Sequence, residues 1–367
     1  MTTLPPSGAQ LIFIGTGSKN QGISRGIYAT RLDTVTGAVA EAELAVETPN
    51  PGFLAAHPAR RIVYAAGEVE TAPGQTTGGA VIAYEFDPRS GRLTLLNQQP
   101  TGGLAVTHLV ADATGRMLIT VSFGGAQIVA FPIDADGRLG ARTSSLLSAG
   151  KPGPNTSRQN KPHPHSVTLS PDNRFAYVCD LGLDRILCYR LDPTAATLIP
   201  AGEFPTAAGA GPRHSKFSAD GRFFYALNEI NSTLAVYACD RTTGALTPSQ
   251  AVSTLPDDFK GDNSCAEVRI HPNGRFVYAS NRGHNSIAVF ARNEADGTLA
   301  RIQLEPCGGV TPRNFNLSPD GAWLVCANLG SNNLATFRID AATGQLTPSG
   351  HTGTVPDPIC VLFPATH

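Results

Sequence analysis

Ten side chains in this sequence carry groups that move protons or hold anions, and their placement repeats. His163 and His165 open one segment (KPHPHSV), and Arg213 and His214 open another (GPRHSKF). Glu267 lies in SCAEVRI, and Arg313 and Asn314 begin TPRNFNL. Asp180, Glu229 and Arg282 close FAYVCD, FFYALNE and VYASNR. An imidazole takes or returns a proton near neutrality, and a carboxylate does so where its surroundings allow. Guanidinium groups hold a phosphate, a carboxylate or a developing oxyanion. Gathered in one place, such groups suit acid/base chemistry on an anionic or carbonyl substrate. Singly, each has an ordinary structural role. His165 could bond a backbone group, Arg213 could pair with Glu229 or Asp180, Arg282 could brace a strand junction, and His163 could be a loop residue between two prolines.

The elements that must bring them together are hairpins. PRHSKFS reads as a strand, SADGR as a tight turn and FFYALNE as the returning strand, with Asp and Gly supplying the turn chemistry. Folding at Asp220–Gly221 sets Arg213 and His214 beside Asn228 and Glu229. The hairpin before it, folded at Asp172–Asn173, sets His165 near Asp180. Equivalent positions elsewhere are His108 at a first-strand start and Glu68, Asn281 and Asn328 at second-strand ends.

This unit recurs along the whole chain. The hairpin turns fall at Arg60, Gly115, Asn173, Gly221, Gly274 and Gly321. A second turn, D-x-x-(T/S)-G-x-L, separates a third strand from a fourth. Four strands in a period of roughly 40–50 residues predict a propeller blade. With 38 glycines, 28 prolines and 2 methionines, the composition also favours an all-β chain. The first unit lacks an opening strand, and the tail PDPICVLFP reads as an opening strand without a hairpin. Residues 359–363 are therefore expected to complete the first blade and close a ring of seven four-stranded antiparallel blades, removing free edges. One domain spanning 1–367 is expected. A single Trp and no repeated Trp-Asp disfavour the WD40 pattern. Loops are expected at 68–80, 148–162 and 254–264, the last two on the side of the charged ends.

Other functions are disfavoured. The net charge of −1 gives no general attraction to nucleic acid or a membrane surface. His163-x-His165 lacks a placed carboxylate and is a poor metal motif. There is no GxSxG elbow, and GTGSKNQG fails as a Walker loop on spacing. Seven scattered cysteines suit reduced, packed thiols, and the first residues carry no signal-peptide pattern, so a cytoplasmic protein is expected. A monomer or weak homo-oligomer is the expected state.

The segments RQNKPHPHSV, DLGLDRI, GPRHSKF, LNEINSTLAVY, VSTLPDDFKGDNSCAEVRIHPNGRFVYASNRGHNSIAVF and TPRNFNLSPDG resemble the bacterial lactonase family of seven-bladed propellers. That family includes a 6-phosphogluconolactonase and is similar to the fungal 3-carboxy-cis,cis-muconate cyclase. The resemblance covers nearly the whole chain. It is weakest in the first two blades, where Gly67-Glu68 replaces the usual Asn-Glu ending. It implies hydrolysis of a small anionic sugar lactone without a metal or organic cofactor, 6-phospho-D-glucono-1,5-lactone first, as in the pentose phosphate pathway. A muconate-type cycloisomerase, another sugar or uronate lactonase and a non-catalytic binding propeller are the alternatives. It implies His165, Glu229, Arg213 and Arg282 as catalytic residues. His163, His214, Asp180, Glu267, Arg313 and Asn314 are expected to bind the substrate.

Overall fold

The computed structural model describes residues 8–17, 22–70 and 77–365. Part of GTGSKNQG, residues 71–76 of the expected 68–80 loop and the extreme N-terminus lie outside them, and the rest of that expected loop instead extends the paired strands Ile62–Glu70 and Thr77–Phe86. The described strands form seven four-stranded antiparallel sheets. The innermost strands of blades 2 to 7 are Leu54–Ala56, Val106–Ala111, Pro164–Leu169, Pro212–Phe217, Ser264–Ile270 and Pro312–Leu317. Blade 1 takes its innermost strand from the C-terminal end. Pro358–Leu362 pairs antiparallel with Ala9–Thr16, matching Phe13 with Leu362 and Ile14 with Val361. Each innermost strand touches the next around the axis, so the ring is closed.

Strand alternation places one face of each blade against each neighbour. In Phe175–Asp180, Phe175, Tyr177 and Cys179 pack toward blade 5, while Ala176 and Val178 pack toward blade 3. A recurring latch links the blades. The hydroxyls of Tyr64, Tyr177, Tyr225 and Tyr278 donate to the carbonyls of Gly137, Gly244, Gly297 and Gly344 at 2.8–3.0 Å. Each acceptor belongs to the D-x-x-(T/S)-G type of turn in the next blade or its variant. At Gly297 the turn needs φ +75°, and a Cβ would lie 2.4 Å from the Phe223 ring, so only glycine fits both demands. The seventh-to-first junction uses Trp323 instead, whose indole N–H donates to Thr34 O at 2.9 Å.

A second repeated feature aims side chains at the axis. The innermost strands of blades 3, 4, 5 and 7 each carry a bulge near the start, skipping Thr107, His165, Arg213 and Arg313 in the register. Blade 6 has the corresponding irregularity between Cys265 and Val268. A bulge leaves its extra residue unpaired and redirects its side chain.

The closing strand makes a sharp prediction. Cys360 and Val361 are buried, and the Val361 N–H donates to Asn314 Oδ1 at 2.9 Å. Truncation after Val355 exposes the edge of Ala9–Thr16 and the apolar faces of blades 1 and 7. The truncated chain is expected to elute as aggregates in size-exclusion chromatography and to lose a cooperative thermal transition. A monomeric, cooperatively melting truncation would show that closure is dispensable.

Candidate active site

The axial mouth holds two connected chambers. The outer one, about 760 Å³, is lined by Phe123, Arg158, His165, Glu229, Arg282 and Arg313 among others. The deeper one, about 210 Å³, is lined by Phe53, His165, Arg213, His214, Arg313 and Asn314 among others. Thr107, His165 and Arg313 border both, so three of the four bulge residues sit at the junction, and the fourth, Arg213, lines the deeper chamber.

Glu229 is the electrostatic centre. It follows the second strand of blade 5, and its Oε2 receives Arg213 Nε and Arg282 Nη2, each at 2.9 Å. Arg158 pairs with Oε1 from the 148–162 loop, its guanidinium also lying over the Phe123 ring. Burial alone would raise the Glu229 pKa. Arg282, Arg213, His165 and Arg158 overcome that and hold the carboxyl well below the usual carboxylate range. A carboxylate so held is a poor proton acceptor. Three ion pairs with guanidinium groups set Glu229 apart from His165.

Arg213 also donates to the Ala266 carbonyl, and Arg282 Nη2 donates to Cys265 O at 3.0 Å. Burial pushes the Arg213 pKa down, as do the charges of Arg282 and Arg313, against the pull of Glu229. With the carboxylate at 2.9 Å the guanidinium stays charged. Arg313 is partly buried at the chamber junction and makes no hydrogen bond or ion pair among the described residues. Burial, then Arg282, brings its pKa down to about 10, so it remains a cation. Among the described residues, four guanidinium groups thus share the two chambers with the carboxylates of Glu229 and Asp262, and the mouth keeps a surplus of positive charge on a nearly neutral chain.

His165 makes no hydrogen bond among the described residues, and its Nδ1 is buried without a partner. Burial first, then Arg213, puts its pKa well below the ordinary imidazole value, so the ring is neutral. It packs edge-on to Phe123 and His214, with centroids 5.6 and 5.3 Å away.

Three expected substrate-binding residues do not reach either chamber wall. His163 stacks on Phe123 at 4.0 Å, and both its ring nitrogens are engaged, by Phe123 O at 2.9 Å and Asn160 Oδ1 at 2.8 Å. Asp180 is fully buried and accepts from Ser148 Oγ at 2.5 Å, His163 N at 2.8 Å and Leu183 N at 3.1 Å. It is a bracket for the 148–162 loop, just as Asn281 and Asn328 bracket the equivalent loops of later blades. Glu267 is fully buried beneath the deeper chamber. His214 and Asn314 do line that chamber, and the expected mouth-side loops do reach the outer one through Asn155, Ser157, Arg158, Asp262 and Asn263. Arg158 was not among the expected site residues. Its one signal was a cationic residue in a loop leading into His163–His165.

The family description "Lactonase, 7-bladed beta-propeller" matches residues 11–363. The chain belongs to this lactonase family. Within it, the chain is 36% identical to a 6-phosphogluconolactonase of Bacillus subtilis over 96% of its own length and 97% of the relative's. It is 32% identical to a 6-phosphogluconolactonase of Formosa agariphila, over 79% and 81%. The solved periplasmic gluconolactonase of Pseudomonas aeruginosa superposes with a TM-score of 0.89 at 31% identity, covering 98% of this chain and all of that one. Among the described residues of this lactonase-family chain, no helix is long and apolar enough to cross a membrane.

Proposed function

We propose that this lactonase-family propeller, acting as one domain, hydrolyses 6-phospho-D-glucono-1,5-lactone to 6-phosphogluconate. The observation that carries this reading is the excess of guanidinium groups at the mouth, with Arg313 in no ion pair among the described residues. A phosphate dianion offsets that excess better than a neutral sugar lactone does. The names of the Bacillus and Formosa relatives point the same way.

In this reading the phosphate lies in the outer chamber against Arg158 and Arg282. The lactone carbonyl lies at the junction, where Arg213 and Arg313 stabilise the oxyanion. Water attacks the carbonyl carbon, and neutral His165 accepts its proton as the new C–O bond forms. The tetrahedral intermediate then breaks the ring C–O bond, and imidazolium His165 returns the proton to the departing ring oxygen. The product acid ionises and releases one proton to solvent. His165 is the suitable proton carrier because Arg213 and Arg313, two of the charges that depress its proton affinity, face the substrate's negative charge. Glu229 keeps its three guanidinium partners in register. The pathway implied is cytoplasmic, and a monomer or weak homo-oligomer suffices for such a mechanism.

The test is acid release above the spontaneous rate from freshly generated 6-phosphogluconolactone, unphosphorylated gluconolactone and carboxymuconate. Arg158→Ala is expected to raise KM for the phosphorylated lactone about tenfold or more, the loss of a charge-assisted contact, and to leave KM for the unphosphorylated lactone unchanged. Preference for the unphosphorylated lactone, with Arg158→Ala neutral, would replace this reading with that of a gluconolactonase, the name of the Pseudomonas relative.

A further inference from the structure

Beneath the junction lies a hydrogen-bond chain whose directions are all determined. The Val361 N–H can only donate, so at 2.9 Å it makes Asn314 Oδ1 the acceptor. Asn314 therefore turns its amide N–H₂ toward Glu267 Oε2, at 2.5 Å. The other carboxylate oxygen, Oε1, accepts from the Val268 N–H at 3.0 Å. Both oxygens of this fully buried side chain serve as acceptors, with Arg269 Nη2 a further 3.6 Å from Oε2. The N–H donors of Asn314 and Val268 and the nearby Arg269 guanidinium all favour the carboxylate form of Glu267. The group opposite it, His214 Nδ1 at 3.1 Å, must carry hydrogen and donate. That tautomer leaves Nε2 with a lone pair and no hydrogen. No hydrogen bond among the described residues engages Nε2, and His214 is part of the deeper chamber's wall.

Resting on the lactonase reading above, we infer that His214 Nε2 is a fixed acceptor for a substrate hydroxyl, and that the deeper chamber selects a polyhydroxylated lactone ring. The chemistry is complementary. Arg213 and Arg313 supply this chamber with donors, which suit the carbonyl and the ring oxygens. A bare imidazole nitrogen needs a donor from the ligand. Phosphate dianions, carboxylates and carbonyls have none, whereas sugar hydroxyls do. Phe53 and His108 pack against the imidazole, with centroids 5.9 and 5.4 Å away, and Glu267 locks the tautomer, so the ring cannot offer an N–H instead. Burial is the main cause that holds its proton affinity down, and two of the charges that add to it, Lys216 and Arg269, lie off both chamber walls and remain when substrate binds. His214 therefore stays a neutral acceptor while His165 accepts the proton. The muconate-type lactone ring carries no such array of hydroxyls, so this residue separates the two substrate classes.

The experiment compares wild type, His214→Leu and His214→Gln on 6-phosphogluconolactone and on its 2-deoxy, 3-deoxy and 4-deoxy forms. His214→Leu is expected to lower kcat/KM on the full substrate by about 10- to 100-fold, the cost of an unpaired buried hydroxyl. On the one deoxy form that lacks the recognised hydroxyl, wild type and His214→Leu should be nearly equal. His214→Gln, which retains an acceptor, should recover part of the loss. An equal loss on every lactone, or no loss on any, overturns the inference, and an equal fall in kcat alone would mark His214 as a proton carrier. Calorimetry with 6-phosphogluconate and inorganic phosphate gives a second readout if a variant is unstable or if no lactone is turned over. Weaker 6-phosphogluconate binding with unchanged phosphate binding in His214→Gln or His214→Leu supports it, and parallel changes refute it. Absence of turnover in the wild type would defeat the lactonase reading alone.

Discussion

Alanine at position 165 lowers kcat on 6-phosphogluconolactone by about 10²- to 10⁴-fold, the usual span for loss of a general base. Thermal stability should change little, because His165 makes no hydrogen bond among the described residues and its removal strands no partner. The pH profile provides a separate check. Burial and Arg213 place the proton affinity of His165 well below that of a free imidazole. The wild-type rate is therefore level through neutrality and falls only in acid, as pH drops through the His165 value and the base becomes protonated. An anionic substrate that neutralises Arg213 and Arg313 moves this limb toward neutrality in kcat relative to kcat/KM. The alanine variant should lack the limb altogether. Turnover within twofold of wild type, or an unchanged acid limb, would take this imidazole out of the reaction.

Glu229→Gln is expected to disrupt both binding and stability. It preserves shape but withdraws the single negative charge from Arg158, Arg213 and Arg282. Removing one partner from a buried ion cluster leaves the others uncompensated and costs about 3–5 kcal/mol. The pH dependence follows from the lowered carboxyl pKa. Above its ordinary value of about 4.5 the unfolded carboxyl is already ionised, and the full stabilisation is present. Below that, the unfolded state takes up a proton that the folded state refuses, and the advantage fades as pH falls toward the folded value. Urea unfolding should show a wide gap between wild type and variant at pH 7 that narrows below pH 4.5. Turnover should fall too, since Arg213 and Arg282 lose their common anchor. Equal unfolding midpoints at pH 7 would mean that the carboxylate does not hold the arginines together.

The two expected losses differ in kind, although the sequence had placed both residues in one catalytic set. His165 and Glu229 are alike in type and spacing, each beside a hairpin end. What separates them is the number of cations within hydrogen-bonding range, which depends on three different chain segments. The same limit explains His163 and Asp180. Their hairpin places them near the mouth, but Phe123, Asn160 and Ser148 decide that they face inward to the loop. The bulges at Thr107, His165, Arg213 and Arg313 also escaped notice, because each is the second residue of its strand and too little alternation precedes it to show a change of phase.

Local chemistry was sufficient for the architecture. Turn residues at Asp220–Gly221 and its counterparts, alternation within each strand, and an opening strand displaced to the C-terminus dictate four-stranded blades and a ring closed by Pro358–Leu362. These are rules that act over a few residues, so one sequence displays them. Whether a given imidazole or carboxylate is a bare acceptor, a proton carrier or a bracket was decided by the tertiary structure alone. Proton affinity and tautomer depend on burial and on charges a few ångströms away, and in a propeller those charges come from blades distant in sequence. The Val361–Asn314–Glu267–His214 chain shows this directly, since the closing strand at the C-terminus determines which nitrogen of a mid-chain histidine carries its hydrogen.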